Sequence, residues 1–131
     1  MRFLLDVSSL IALGLDRHQF HDRVVAWARL QHAPSFLTCS ITEIGFVRVL
    51  AQVPGYGLTV PQARNLLVDL KKSRAWRIEF ISDGNDISCL PNWVKSAKQT
   101  TDGHLVELAK AQGAVLATLD MSIPGAYVIP E

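Results

Sequence analysis

The stretch TTDGHLVELAKAQGAVLATLD, residues 100–120, reads as a helix, a stop and a strand in immediate succession. Thr101 is placed to cap a helix running to about Gln112, with Leu105, Leu108 and Ala109 on its apolar face and Gly113 at the left-handed stop position. Ala114 to Leu119 then forms a β-rich apolar run that Asp120 closes. A strand that is apolar throughout suits a sheet covered on both faces, which points to a parallel sheet in an α/β fold.

The N-terminus repeats the ending of that unit. Arg2-Phe3-Leu4-Leu5 reads as a short buried strand, and Asp6 follows it directly. In open α/β sheets the ligand crevice lies outside the carboxyl ends of the strands, so Asp6 and Asp120 are expected at one edge. Between them, Val7 to Leu15 reads as a short helix, Phe20 to Gln31 as a longer amphipathic one, and Ser35 to Cys39 as a second strand. Ser40-Ile41-Thr42-Glu43 matches a capping box at the head of Ile44 to Leu50. Pro61 suits the first turn of a further helix, whose Ala63, Leu66, Leu67 and Leu70 form a core-facing stripe. Trp76 to Ile81 reads as a third strand, Asp86 to Lys98 as a helix despite Pro91, and Ala126 to Ile129 as a short terminal strand. Alternating strands and helices imply a mainly parallel sheet with helices on both faces.

The 131 residues suit one domain over 1–131 with its own core. At 49% hydrophobic and 19% charged the chain is too apolar for a disordered one, and a formal net charge of +1 leaves any nucleic-acid contact to a local patch. Cys39 and Cys89 lack zinc-like or CxxC spacing and are expected to be reduced and buried. No signal peptide is read at the N-terminus, and no run reaches the roughly 18 apolar residues of a membrane span. A cytoplasmic location is the expectation.

Four carboxylates decide the chemistry: Asp6, Glu43, Asp102 and Asp120. Each has an ordinary structural explanation. Asp6 and Asp120 suit caps or turns, Glu43 the reciprocal side of a box with Ser40, and Asp102 a helix dipole. Such roles contribute ~0.5–2 kcal/mol for a cap and ~0.3–1 kcal/mol for a dipole contact. Together, however, they converge on one sheet edge, where unpaired carboxylates repel unless a hard cation such as Mg²⁺ or Mn²⁺ joins them. Such an ion activates water and stabilises an attacked phosphodiester, with a second ion able to hold the leaving oxygen.

The blocks LLDVSSLIAL (4–13), SITEIGFVRVL (40–50) and residues 100–120 resemble the PIN-domain nucleases, most closely the VapC-like ribonuclease toxins of bacterial type II toxin-antitoxin pairs. The resemblance implies a three-layer α/β/α domain with a central, mainly parallel sheet of about five strands. It implies that Asp6, Glu43, Asp102 and Asp120 hold Mg²⁺ or Mn²⁺ for RNA hydrolysis, with Thr118 and Ser8 orienting carboxylates or waters. A structured cellular RNA such as tRNA or rRNA is the implied substrate, a small antitoxin the implied partner, and a homodimer the implied assembly. The chain departs from the family's pattern at Met121-Ser122-Ile123-Pro124, where many relatives carry a basic or small residue and then an aromatic. Asp120 then acts directly or through water.

Lys71, Lys72, Arg74 and Arg77 form the densest basic run, open to RNA phosphates or to a solvated helix end. Arg48, about a turn beyond Glu43, is placed to pair with an acid or steer substrate. His104 lies two residues after Asp102, within reach of a phosphate. His18 and His21 lack a third zinc ligand and are expected to flank a helix start near the site's rim. Trp27, Trp76 and Trp93 suit the core or an interface, and an exposed one would stack on a base. Two rivals stand beside the nuclease. A phosphoacceptor signalling domain needs an acidic pair at the first strand, which Leu4-Leu5-Asp6 lacks, and a non-catalytic PIN-like binding module would retain the acids only as caps.

Overall fold

A computed structural model describes residues 1–32 and 34–131. The elements run β1 (Arg2–Leu5), α1 (Val7–Gly14), α2 (His21–Leu30), β2 (Ser35–Thr38), α3 (Ser40–Gln52), α4 (Val60–Lys72), β3 (Ile78–Phe80), α5 (Thr100–Ala111), β4 (Val115–Thr118) and β5 (Tyr127–Val128). The five strands lie in the order β3-β2-β1-β4-β5, and every pairing is parallel. The chain builds β2 and β3 outward on one side of β1, then crosses over and places β4 on the other. That reversal puts a topological switch point between β1 and β4, where Asp6 and Asp120 leave the sheet.

The strands alternate between two cores because successive side chains point to opposite faces. Phe3, Leu5, Phe36 and Ala117 pack beneath α1 to α4 with Leu10, Ile11, Trp27, Phe46 and Leu67. Leu4, Leu37 and Leu116 face α5 and meet Leu105, Val106, Leu108 and Ala109. An edge-on contact between Phe3 and Trp27, with ring centroids 4.9 Å apart, lies in the first core. Burying a side chain such as Phe3 stabilises the fold by ~1.5–3 kcal/mol. The α/β/α layering read from the sequence is thus present.

Several local readings need correction. The box at α3 is formed by Cys39 and Thr42, not Ser40 and Glu43: Thr42 Oγ1 accepts from Cys39 N at 3.0 Å, and Ser40 is already helical. That shift frees Glu43 from capping. Helix α5 starts one residue before Thr101, preceded by a 3-10 turn over Ala97–Gln99 in which Ser96 and Gln99 cap each other. Residues 86–98 do not form one helix. A 3-10 turn over Ile87–Cys89, capped by Asp86, ends at once, because the Pro91 ring would clash with the carbonyl of Ile87 in a continued helix. Cys39 is buried as expected, but Cys89, in that irregular segment, is exposed. Thr59, missed in the sequence, caps α4 reciprocally with Gln62, with Pro61 in the first turn as read. Gly113 takes φ 65°, the left-handed stop. Among the described residues no helix is long and apolar enough to cross a membrane.

Candidate active site

Asp6 ends β1 and caps α1, so its structural and its chemical readings are the same contact seen twice. Its Oδ1 accepts from Ser9 N at 2.9 Å and from Ser9 Oγ at 2.8 Å. Its Oδ2 accepts a short hydrogen bond from Thr118 Oγ1, on the last residue of β4. Ser9 Oγ also reaches the Ala117 carbonyl at 2.9 Å, which ties α1 to β4 across the switch point. With Asp6 only 8% exposed, these neutral donors hold a nearly buried carboxylate in one orientation.

Thr118 therefore orients an acid, as its position suggested, while Ser8 does not. Ser8 is exposed and lines a cleft of about 290 Å³ with His18, Phe20, Leu119 and Asp120. The missed residue is Ser9. Its signal was present in the sequence, since a capping aspartate accepts from the third helical residue, here Ser9.

Asp102 lies in the first turn of α5 and shares a cleft of about 400 Å³ with Asp120, Trp93, Lys98, Gln99, Ser122 and Ile123. Burial, then the charges of Asp6 and Asp120, push its carboxyl above the usual carboxylate value. Its neighbour Gly103 allows the close approach of the irregular segment, because a Cβ there would overlap Val94 Cγ2. Asp120 is exposed and takes hydrogen bonds from Ser122 N at 2.8 Å and Ser122 Oγ at 2.7 Å. Those bonds, and the nearby Lys98 charge, hold its carboxyl below the usual value. The Met121-Pro124 departure thus supplies a turn that fixes Asp120 through Ser122.

Glu43 stands apart. Thr38 Oγ1, at the end of β2, donates to its Oε2 at 2.6 Å, and Lys71 Nζ lies 2.6 Å from the same oxygen. The helix that carries Glu43 comes close to α1 because Gly45 has no side chain. A Cβ there would overlap Val7 Cγ2, next to Asp6. Thr38 and Lys98 are further residues that the sequence did not single out. Thr38 had a signal, as a threonine ending a strand in the manner of Thr118.

The basic run is not one patch. Lys71 reaches the acids, Lys72 is exposed, and Arg74 and Arg77 line a cavity of about 470 Å³ with Arg29 and Trp76 where β2 and β3 begin. The turn after α4 carries the chain to the opposite sheet edge, so Arg74 is removed from the acids. Arg48 is exposed and has no ion-pair partner among the described residues. His104 Nε2 pairs with Asp83 Oδ2 instead of facing the acids. His21 Nδ1 bonds the Ala12 carbonyl at 2.7 Å, and burial lowers the His18 pKa, with His21 adding to the effect. Trp27 is core, Trp76 packs edge-on against Phe36, and Trp93 walls the Asp102 cleft.

Among the described residues no three His, Cys, Asp or Glu side chains converge tightly enough to form a metal centre as they stand. The chemistry of the donor set nevertheless fits a hard cation. Asp102 has no hydrogen-bond donor on its carboxylate among the described residues, and two other acids raise its pKa. A divalent ion removes that repulsion.

Fold and site together define a PIN-like α/β domain with an acidic centre at its switch point. No protein-family model matches the chain. Ribonuclease VapC44 of Mycobacterium tuberculosis is 40% identical over 94% of this chain and 89% of its own length. Ribonuclease VapC38 of the same organism is 35% identical over 92% of this chain and 86% of its own. The chain belongs to the VapC ribonuclease family. The crystal structure of VapBC2 from Rickettsia felis, bound to a DNA fragment from its promoter, superposes with a TM-score of 0.61 at 14% identity, over 97% of this chain and 96% of that one, and agrees in fold.

Proposed function

We propose that this chain is a Mg²⁺- or Mn²⁺-dependent endoribonuclease, the toxin of a toxin-antitoxin pair. The observation that carries the reading is the trio Asp6, Asp102 and Asp120 around the switch point of a VapC-family fold, mutually repelling at Asp102. Asp6 and Asp102 would hold the ion, with Asp120 completing the set directly or through water. When bound, the ion supplies a water of lowered pKa and a Lewis acid for the phosphodiester oxygen.

The chain's own residues do the positioning. Thr118 and Ser9 keep Asp6 from rotating, and the turn at Ser122 keeps Asp120 beside it. Lys98 offers an ammonium to an RNA phosphate at the cleft mouth, and Trp93 offers a face on which a base stacks, worth ~1–3 kcal/mol. On the far side of Asp120, the second cleft brings His18 and Phe20 within reach of the next nucleotide. A structured cellular RNA spans both.

The VapBC2 complex pairs its toxin with a second protein, and an antitoxin that covers the acids of this chain follows from the same reading, as do a homodimer and a cytoplasmic location. Purified, partner-free protein is expected to cut total bacterial RNA into discrete products with Mn²⁺ or Mg²⁺, and to lose this with a chelator and in Asp6→Asn. Products unaffected by the chelator would remove the metal. No products and no metal-induced rise in melting temperature would favour the non-catalytic module, which the ready-made pair of Glu43 with Lys71 would also suit.

A further inference from the structure

Glu43 already has a cation. Lys71, near the end of α4, places Nζ 2.6 Å from Glu43 Oε2, and the same ammonium lies 5.4 Å from the centre of the Phe80 ring on β3. Thr38 Oγ1 donates to that same oxygen at 2.6 Å. The lysine is thus held by an acid on one side and an aromatic face on the other, with its side chain 30% exposed. A charge-assisted bond at that distance is among the strong ones, and a free ion must break it to use Oε2.

A second ammonium sits at the other end of the site. Lys98 shares the cleft of Asp102 and Asp120, and its charge helps hold Asp120 ionised. Asp83, the nearby acid after β3, is taken up by His104. Four carboxylates against the two ammoniums of Lys71 and Lys98 leave two uncompensated negative charges. One divalent ion neutralises them. Two would leave a surplus of positive charge before substrate arrives.

We propose that Lys71 is a built-in counter-ion standing where a second divalent ion would otherwise sit, so that the site takes one ion, at Asp6, Asp102 and Asp120, with Glu43 outside its ligands. The inference rests on the metal-dependent reading above. It makes Lys71 a positioning residue that keeps Glu43 oriented and neutralised, instead of a contact for distant RNA phosphates.

Mn²⁺ titration of the purified chain, followed by calorimetry and by the loss of free-ion paramagnetic resonance signal, tests this without any turnover. The wild type is expected to bind one ion per chain, Lys71→Met to acquire a weaker second one, and Lys71→Arg, which keeps the cation, to stay at one. A melting curve for each variant checks folding. Two ions in the wild type overturn the inference and leave the metal-dependent nuclease standing, as does Lys71→Met binding one ion with unchanged affinity. No Mn²⁺ bound by the wild type removes the metal-dependent reading and this inference with it. If Lys71→Met does not fold, the wild-type and Lys71→Arg stoichiometries still decide.

Discussion

The corner at Asp6 and the corner at Glu43 are built on one plan. In each, a carboxylate just beyond a strand receives the hydroxyl of a threonine that ends a strand, Thr118 of β4 for Asp6 and Thr38 of β2 for Glu43. The second partner differs. Asp6 has the backbone and hydroxyl of Ser9, which are neutral, whereas Glu43 has the ammonium of Lys71. An acid oriented by neutral donors keeps its full charge for a ligand; an acid oriented by a lysine has its charge already matched. Similar local scaffolds therefore give two acids of different use.

The comparison breaks most directly at Asp6. Asp6→Asn keeps an oxygen for Ser9 but removes the charge, and cleavage should fall by more than the ~10–100-fold typical of residues that only orient ligands. A steady-state RNA cleavage assay reads this, and an Asp6→Asn enzyme within tenfold of wild type would mean that Asp6 is no more than a cap.

Thr118→Val comes next. It strips one of the donors from a nearly buried carboxylate, so chemical denaturation should show a loss of ~1.5–3 kcal/mol, and metal affinity should fall within the ~10–100-fold range of an orienting residue. The matching change in the other corner, Thr38→Val, should be milder, ~0.5–1.5 kcal/mol, because Lys71 still satisfies the same oxygen. Equal losses in the two variants would erase the distinction between the corners.

The smallest effect is expected at Asp102, and its sign is opposite. Its carboxyl is raised in the fold, so the stability tied to its protonation is fully present below the unfolded value near 3.8 and lost as pH rises through the higher folded value. Metal-free Asp102→Asn, which never ionises, should therefore melt above wild type at neutral pH while failing to cleave. The gap should close as pH falls below about 4. A variant that melts lower at neutral pH would show that Asp102 is stabilising, not strained.

Much of this was legible in the chain because local rules govern it. The period-2 and helical patterns mark β1, β4 and α5, and a glycine that accepts a positive φ marks the stop at Gly113. The misreadings came where two local rules competed. Ser40 and Thr42 both offer a hydroxyl to a helix start, and only the backbone's departure from the strand at Cys39 selected Thr42. Residues 86–98 contain helix formers and a cap, but one proline outweighs them. Ser8 and Ser9 are neighbours in sequence, and helix phase alone put Ser9 on the acid and Ser8 in the solvent.

By itself, the sequence determined the α/β class, the switch-point acids and the caps, since each depends on residues within a few positions of one another. Which acid keeps its charge was decided only by tertiary structure. Thr118 lies 112 positions from Asp6 and Lys71 lies 28 from Glu43, and no periodicity carries information across such gaps. Those partners meet because parallel strands bring their carboxyl ends to one edge and because α4 ends beside it, while the turn beyond takes Arg74 and Arg77 to the other edge.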